Sequence, residues 1–125
     1  MTSSVPTSPN AAPTDPEDVK IITLARAALA RTAAASGACL RDTDGRTYAA
    51  ASVNLPHLQL SAVTVAVAMA VSSGAEGLEA IALAGTGPAE ADLDVLGDLR
   101  GPGAVLWHVD ARGQLQERIA LDGAR

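Results

Sequence analysis

A chain of 125 residues that is 48% hydrophobic and carries a formal charge of −5 has enough apolar matter for one core and too little for two. Nine Lys and Arg against fourteen Asp and Glu exclude the clustered basic surface that a nucleic-acid binder needs. The single cysteine, Cys39, excludes an internal disulfide and a cysteine-rich metal site, and no apolar run approaches the ~20 residues of a membrane span, so a cytoplasmic protein without membrane contact is expected.

Residues 1–14 are mostly Ser, Thr, Pro, Asn and Ala, a composition that cannot offset the entropy of ordering, and they are expected to form a disordered tail before a folded domain over 15–125. Asp15-Pro16-Glu17-Asp18 then reads as a helix start, with Asp15 as N-cap, Pro16 in the first turn and acids at the positive end of the dipole. Ile21, Leu24, Ala25, Ala28 and Leu29 recur at helical spacing, which predicts a helix to about Ala35 with one face on a sheet. Ala38 to Arg41 and Arg46 to Ala50 flank Asp42-Thr43-Asp44-Gly45, the signature of a β-hairpin.

The segment Ala62 to Val71 alternates large and small residues, which by period alone reads as a strand. It also fits a helix, capped by Ser61, stopped at Gly74, and apolar on more than one face. Leu78 to Ala84 reads as a buried strand, Pro88 to Leu99 as an acidic helix, and Ala104 to Val109 and Gln114 to Leu121 as strands joined by the turn Asp110 to Gly113. This order predicts an α/β sandwich around one mixed sheet. With Tyr48 and Trp107 as the only aromatics, the core must be assembled from Ala, Val, Leu and Ile, and such small-residue cores often gain burial by oligomerising.

The run Gly37-Ala38-Cys39-Leu40, the turn Asp44-Gly45-Arg46, and the stretch from Ser61 through Gly74 into Glu79-Ala80-Ile81-Ala82-Leu83 resemble the small cytidine deaminase family. The likeness spans roughly residues 17 to 121 and implies a three-layer sandwich, a mixed sheet flanked by helices. In that family one helix opens with Cys-Ala-Glu and a second with Pro-Cys-Gly-Ala-Cys, and the two N-termini hold zinc. Here Ser61-Ala62-Val63 falls at the first motif, and Pro88-Ala89-Glu90-Ala91-Asp92 falls at the second. The resemblance therefore makes Ser61, Ala89 and Asp92 vestigial ligand positions, sets Val63 where the catalytic glutamate would stand, and resolves 61–73 as a helix. The family's ribose-binding Asn-x-Glu would lie near Ala50 to Asn54, where only Asn54 is left, and its pocket motif before the first strand is replaced by Ala33-Ala34-Ala35-Ser36.

Deamination of a pyrimidine nucleoside needs a metal-activated water and a carboxylate that carries protons. Ser61 is a poor ligand, Ala89 is none, Asp92 offers hard oxygen, and Val63 carries no proton. The other reactive groups have ordinary explanations: His57 as a loop histidine, His108 as a strand histidine beside Trp107, Cys39 as a small buried hydrophobe, and Glu90, Asp92, Asp94 and Asp98 as first-turn and solvated helix acids. The expectation is a catalytically silent deaminase-fold protein without a metal or other cofactor, acting as a homodimer or tetramer or scaffolding another protein. The alternatives are a zinc-dependent nucleoside deaminase whose ligands lie elsewhere, and a nucleoside-binding sensor.

Overall fold

Asp15 is extended and accepts a hydrogen bond from the Glu17 N–H at 2.8 Å, which starts helix α1 (Pro16–Thr32) where the sequence signals it. In this computed structural model, which describes residues 11–121, residues 11–14 are irregular and the rest of the expected N-terminal tail lies outside the described residues. The helix stops three residues short of Ala35, because Ala33 takes the left-handed conformation (φ 53°) and turns the chain into the sheet.

Strands β1 (Ser36–Asp42) and β2 (Thr47–Ala51) form the expected antiparallel hairpin, with Gly45 at φ 86° in its turn. A second hairpin, β3 (Val53–Leu55) and β4 (Leu58–Leu60), follows where the sequence pattern showed only loop, since its strands are three residues long and too short to display a period. Helix α2 (Ala62–Ser72), β5 (Leu78–Gly85), α3 (Glu90–Leu99), β6 (Arg100–Val109) and β7 (Leu115–Ala120) complete the chain. Strand β6 begins four residues before the expected Ala104. Pro102 and Gly103 mask that start, where the register slips between the Leu78–Arg100 and Ala80–Val105 pairs.

The main sheet has the order β2-β1-β5-β6-β7, and β5 and β6 are parallel while the other pairs are antiparallel. This is the mixed sheet of a three-layer sandwich. Alternation along each strand divides the core into two. Ile21 and Ala25 of α1 cover Cys39, Ala80, Ala82, Ala84 and Val109 on one face. On the other, Val63, Val67, Leu96 and Leu99 of α2 and α3 pack with Leu40, Tyr48, Ile81, Leu83 and Leu106.

The α1 layer sits very close to the sheet. A Cβ placed on Gly37 would lie 2.3 Å from the Ala25 carbonyl oxygen and 2.6 Å from the Leu29 nitrogen, both backbone atoms that cannot swing aside. On the opposite layer α2 buries Ala62, Val63, Ala66, Val67 and Ala70, but leaves Met69 at 40% and Val71 at 53% exposure. The segment is apolar on more than one face, and within one chain only one of them is fully buried. Among the described residues no helix is long and apolar enough to cross a membrane.

Candidate functional site

Two helices start at the same place. Strand β4 delivers the chain to α2 through Ser61, which is extended at φ −70° and ψ 157° and accepts the Thr64 N–H at 3.0 Å, an ordinary N-cap. The loop after β5 delivers it to α3 through Ala89, which has no side-chain oxygen with which to cap. Asp92, three residues on, reaches back instead, and its Oδ2 accepts the Ala89 N–H at 3.0 Å.

The second Asp92 oxygen faces the other helix. The Ser61 hydroxyl lies 2.6 Å from Asp92 Oδ1 and 2.9 Å from Thr64 Oγ1. With one proton to give, it donates to the carboxylate, the stronger acceptor. Ser61 is thus joined in one hydrogen-bonded group with Asp92, 31 residues on in sequence, and with Ala89 beside it. Asp92 is 7% exposed. Asp92 is the first-turn acid that the sequence indicated, and it is buried in that role; Glu90, Asp94 and Asp98 are exposed.

Beside this group lies a pocket of about 220 Å³ bordered by Ser36, Ser52, Ser61, Val63, Thr86 and Asp92. Its hydroxyls are largely engaged. Ser36 donates to the Thr86 carbonyl at 3.2 Å, Ser52 accepts the Ser36 N–H at 3.3 Å, and Ser61 is occupied as described. Val63 is wholly buried, with its isopropyl group in the wall. Ala35 and Ser36 border the pocket, whereas Asn54 is exposed on β3 opposite Gln59.

The donor set at the helix ends does not suit zinc. Zinc in such sites takes sulfur and nitrogen ligands in tetrahedral array. Here the groups are a neutral hydroxyl, a carboxylate whose two oxygens both accept hydrogen bonds, and a methyl group. Among the described residues no three His, Cys, Asp or Glu side chains cluster in a way that could hold a metal ion.

The remaining candidates stand outside the pocket. His57 is exposed in the β3–β4 turn. His108 Nε2 lies 2.9 Å from the Gly85 carbonyl and its ring backs Gly87, so it braces the loop that enters α3. Cys39 is fully buried under α1, and burial pushes its thiol up to about 11, against smaller lowering effects from the Tyr48 backbone, Lys20 and Arg41. It is therefore a poor nucleophile.

Sequence reasoning missed two polar constructions. Asp42 is 1% exposed and accepts from the Tyr48 hydroxyl at 3.0 Å and from the Asp44 and Arg46 N–H groups at 2.9 Å each. Burial pushes its carboxyl up, but those bonds and the Arg46 charge outweigh burial and hold it below the usual carboxylate value. The Asp-Thr-Asp-Gly turn signal marked Asp42 as a turn residue and gave no hint of Tyr48. Arg41, 6% exposed, pairs with Asp18 of α1 at 2.9 Å and with Glu79 of β5. Nothing in the sequence links these three.

A model of the cytidine deaminase-like family matches residues 14–113. A comparison with curated protein sequences finds no match. Among solved structures, a cytidine deaminase from Burkholderia pseudomallei superposes with a TM-score of 0.71 at 23% identity, over 82% of this chain and 91% of that one. The enzyme from Mycobacterium tuberculosis gives 0.66 at 21% identity, over 82% and 91%, and that from Mycobacterium leprae gives 0.65 at 18%, over 82% and 94%. These likenesses are likenesses of fold.

Proposed function

The chain belongs to the cytidine deaminase-like family, and from that premise we propose that it is a catalytically silent member acting in the cytoplasm by assembly, as a homo-oligomer or as a scaffold for another protein. The observation that carries this reading is the state of the two helix N-termini. Ser61, Ala89 and Asp92, aligned with the ligand positions, are engaged with one another, and Val63, aligned with the acid/base position, presents only hydrocarbon to the pocket.

Nucleoside deamination needs a proton moved from water to the base, and an isopropyl group holds no proton at any pH. Loss of a positioned acid/base alone costs about a hundred- to ten-thousand-fold in rate. The oxygen donors present give a borderline-soft metal no site in which to activate water. Assembly is supported by the opposite kind of feature. Met69 and Val71 on α2, and Leu55 and Leu58 on the adjoining hairpin, are between 40% and 55% exposed. α2 carries no charged residue, so its outer face suits a second copy of itself in a dimer or tetramer.

The pocket of about 220 Å³ supports one second reading, a nucleoside-binding sensor without turnover. Three measurements on the purified protein separate the readings: zinc per chain, ammonia released from cytidine and deoxycytidine, and mass in solution. The silent assembly gives substoichiometric zinc, no ammonia and a mass of two or four chains. A sensor raises its melting temperature with a nucleoside. One zinc per chain, with turnover abolished by a chelator, identifies a working deaminase and overturns the proposal.

A further inference from the structure

Asp92 is a carboxylate with 7% exposure, and its oxygens accept hydrogen bonds from the Ala89 N–H and the Ser61 hydroxyl. Burying a carboxylate is expensive unless its charge is compensated. The ion pairs of Arg41 with Asp18 and Glu79 belong to the other face of the sheet and give no help here. What surrounds Asp92 is the start of α3, whose cap N–H it accepts, and the start of α2, whose cap hydroxyl donates to it. Both are positive dipole ends.

We propose that Asp92 is an internal, covalently tethered anion that clasps the N-termini of α2 and α3, so that the fold closes this end of the molecule without a metal. The inference rests on the reading that the site holds no zinc, and it adds a task for the residues found there. A tethered carboxylate satisfies three needs at once. It caps α3, whose cap residue Ala89 cannot do so itself; it orients the Ser61 hydroxyl that caps α2; and it places negative charge between two positive helix ends. Each oxygen serves a different helix. Cutting either bond should therefore be felt on the other side, which a cap serving only its own helix would not produce.

Two consequences are measurable. The clasp couples Ser61 to Asp92, so their removal is not additive. It also makes the Asp92→Ala protein a receptor for a small free carboxylate, because the donors and dipole ends that held the side chain are still there. Asp92→Ala should lower the melting temperature by roughly 5–10 °C. Ser61→Ala should cost clearly less in the Asp92→Ala background than in the wild type. Formate at ~0.1 M should raise the melting temperature of Asp92→Ala by several degrees more than that of the wild type, through binding to the native state. Asp92→Asn keeps an acceptor for one bond only and should fall between the two.

If Asp92→Ala does not fold, the milder Ser61→Ala carries the test through amide hydrogen exchange. The clasp requires exchange at the Ala89 N–H, on the other helix, to quicken about tenfold, since each ~1.4 kcal/mol of local stability is one decade. Additive losses with equal formate response, or unchanged exchange at Ala89, overturn the clasp and leave the silent reading intact. Zinc at one per chain with cytidine turnover overturns that reading and the clasp with it.

Discussion

The two faces of the sheet are constructed on opposite plans. Under α1 the contact is made by alanines and by Gly37, so close that backbone meets backbone, and both buried donors without a partner among the described residues, Arg41 Nη1 and Trp107 Nε1, are on residues of this face. Under α2 and α3 the side chains are larger and a pocket is retained. The buried carboxylates there, Asp42 and Asp92, have partners on both oxygens. The α1 face holds the sheet together by proximity and tolerates polar imperfection. The other face keeps the shape of a site, with its polar groups turned inward on one another.

That contrast is sharpest at Gly37. Gly37→Val should destabilise by about 3 kcal/mol or more, or prevent folding, because the atoms in the way are backbone. A matched enlargement beside the pocket, Ala89→Val, should stay within about 0.5 kcal/mol, since the residue is exposed. Denaturant unfolding of the pair measures the difference, and equal losses would erase the distinction between a tight and a roomy face.

A smaller effect is expected at Asp42. Asp42→Ala leaves the Tyr48 hydroxyl and two N–H groups without their acceptor and should cost about 2 kcal/mol. Because the folded carboxyl is held below its unfolded value, its contribution is present above the ordinary ~3.9 and is lost as pH falls through the lowered folded value. Stability measured from pH 7 downward should therefore fall less in Asp42→Ala than in the wild type. Parallel profiles would remove Asp42 as the source of acid sensitivity.

The smallest effect belongs to Arg41, on the α1 face. Its ion pairs are offset by burial and by the donor at Nη1 without a partner, so replacing both members of the more buried pair, Arg41→Met with Asp18→Asn, should change stability by less than about 1 kcal/mol. A loss of several kcal/mol, read from chemical denaturation, would show that polar matching matters equally on both faces.

The legibility of the sequence follows the same division. The cap at Asp15, the stripe Ile21-Ala25-Ala28, the hairpin around Gly45 and the cap at Ser61 were all visible, because each depends on neighbours within a turn or two. Period alone left Ala62 to Val71 undecided between strand and helix. Local pattern also missed the β3–β4 hairpin and the early start of β6, where strands are short or interrupted by Pro and Gly. At the site, the resemblance to cytidine deaminases singled out Ser61, Ala89, Asp92 and Val63, and all four border one pocket. That Asp92 bonds to both helix starts was not readable, because its partner Ser61 is 31 residues away, on a helix brought alongside only by packing on the same face of the sheet.

The most direct test of the account is to restore thiolates at the positions it regards as emptied. Ser61→Cys, Ala89→Cys and Asp92→Cys together should place three sulfurs at neighbouring helix N-termini, whose dipoles favour thiolate, a ligand that zinc takes readily. The triple variant should take up one zinc per chain, melt higher with metal than without, and release no ammonia from cytidine while Val63 is retained. A triple variant that folds and binds no zinc would contradict the account, because the three positions would then not form the site from which the silent reading is drawn.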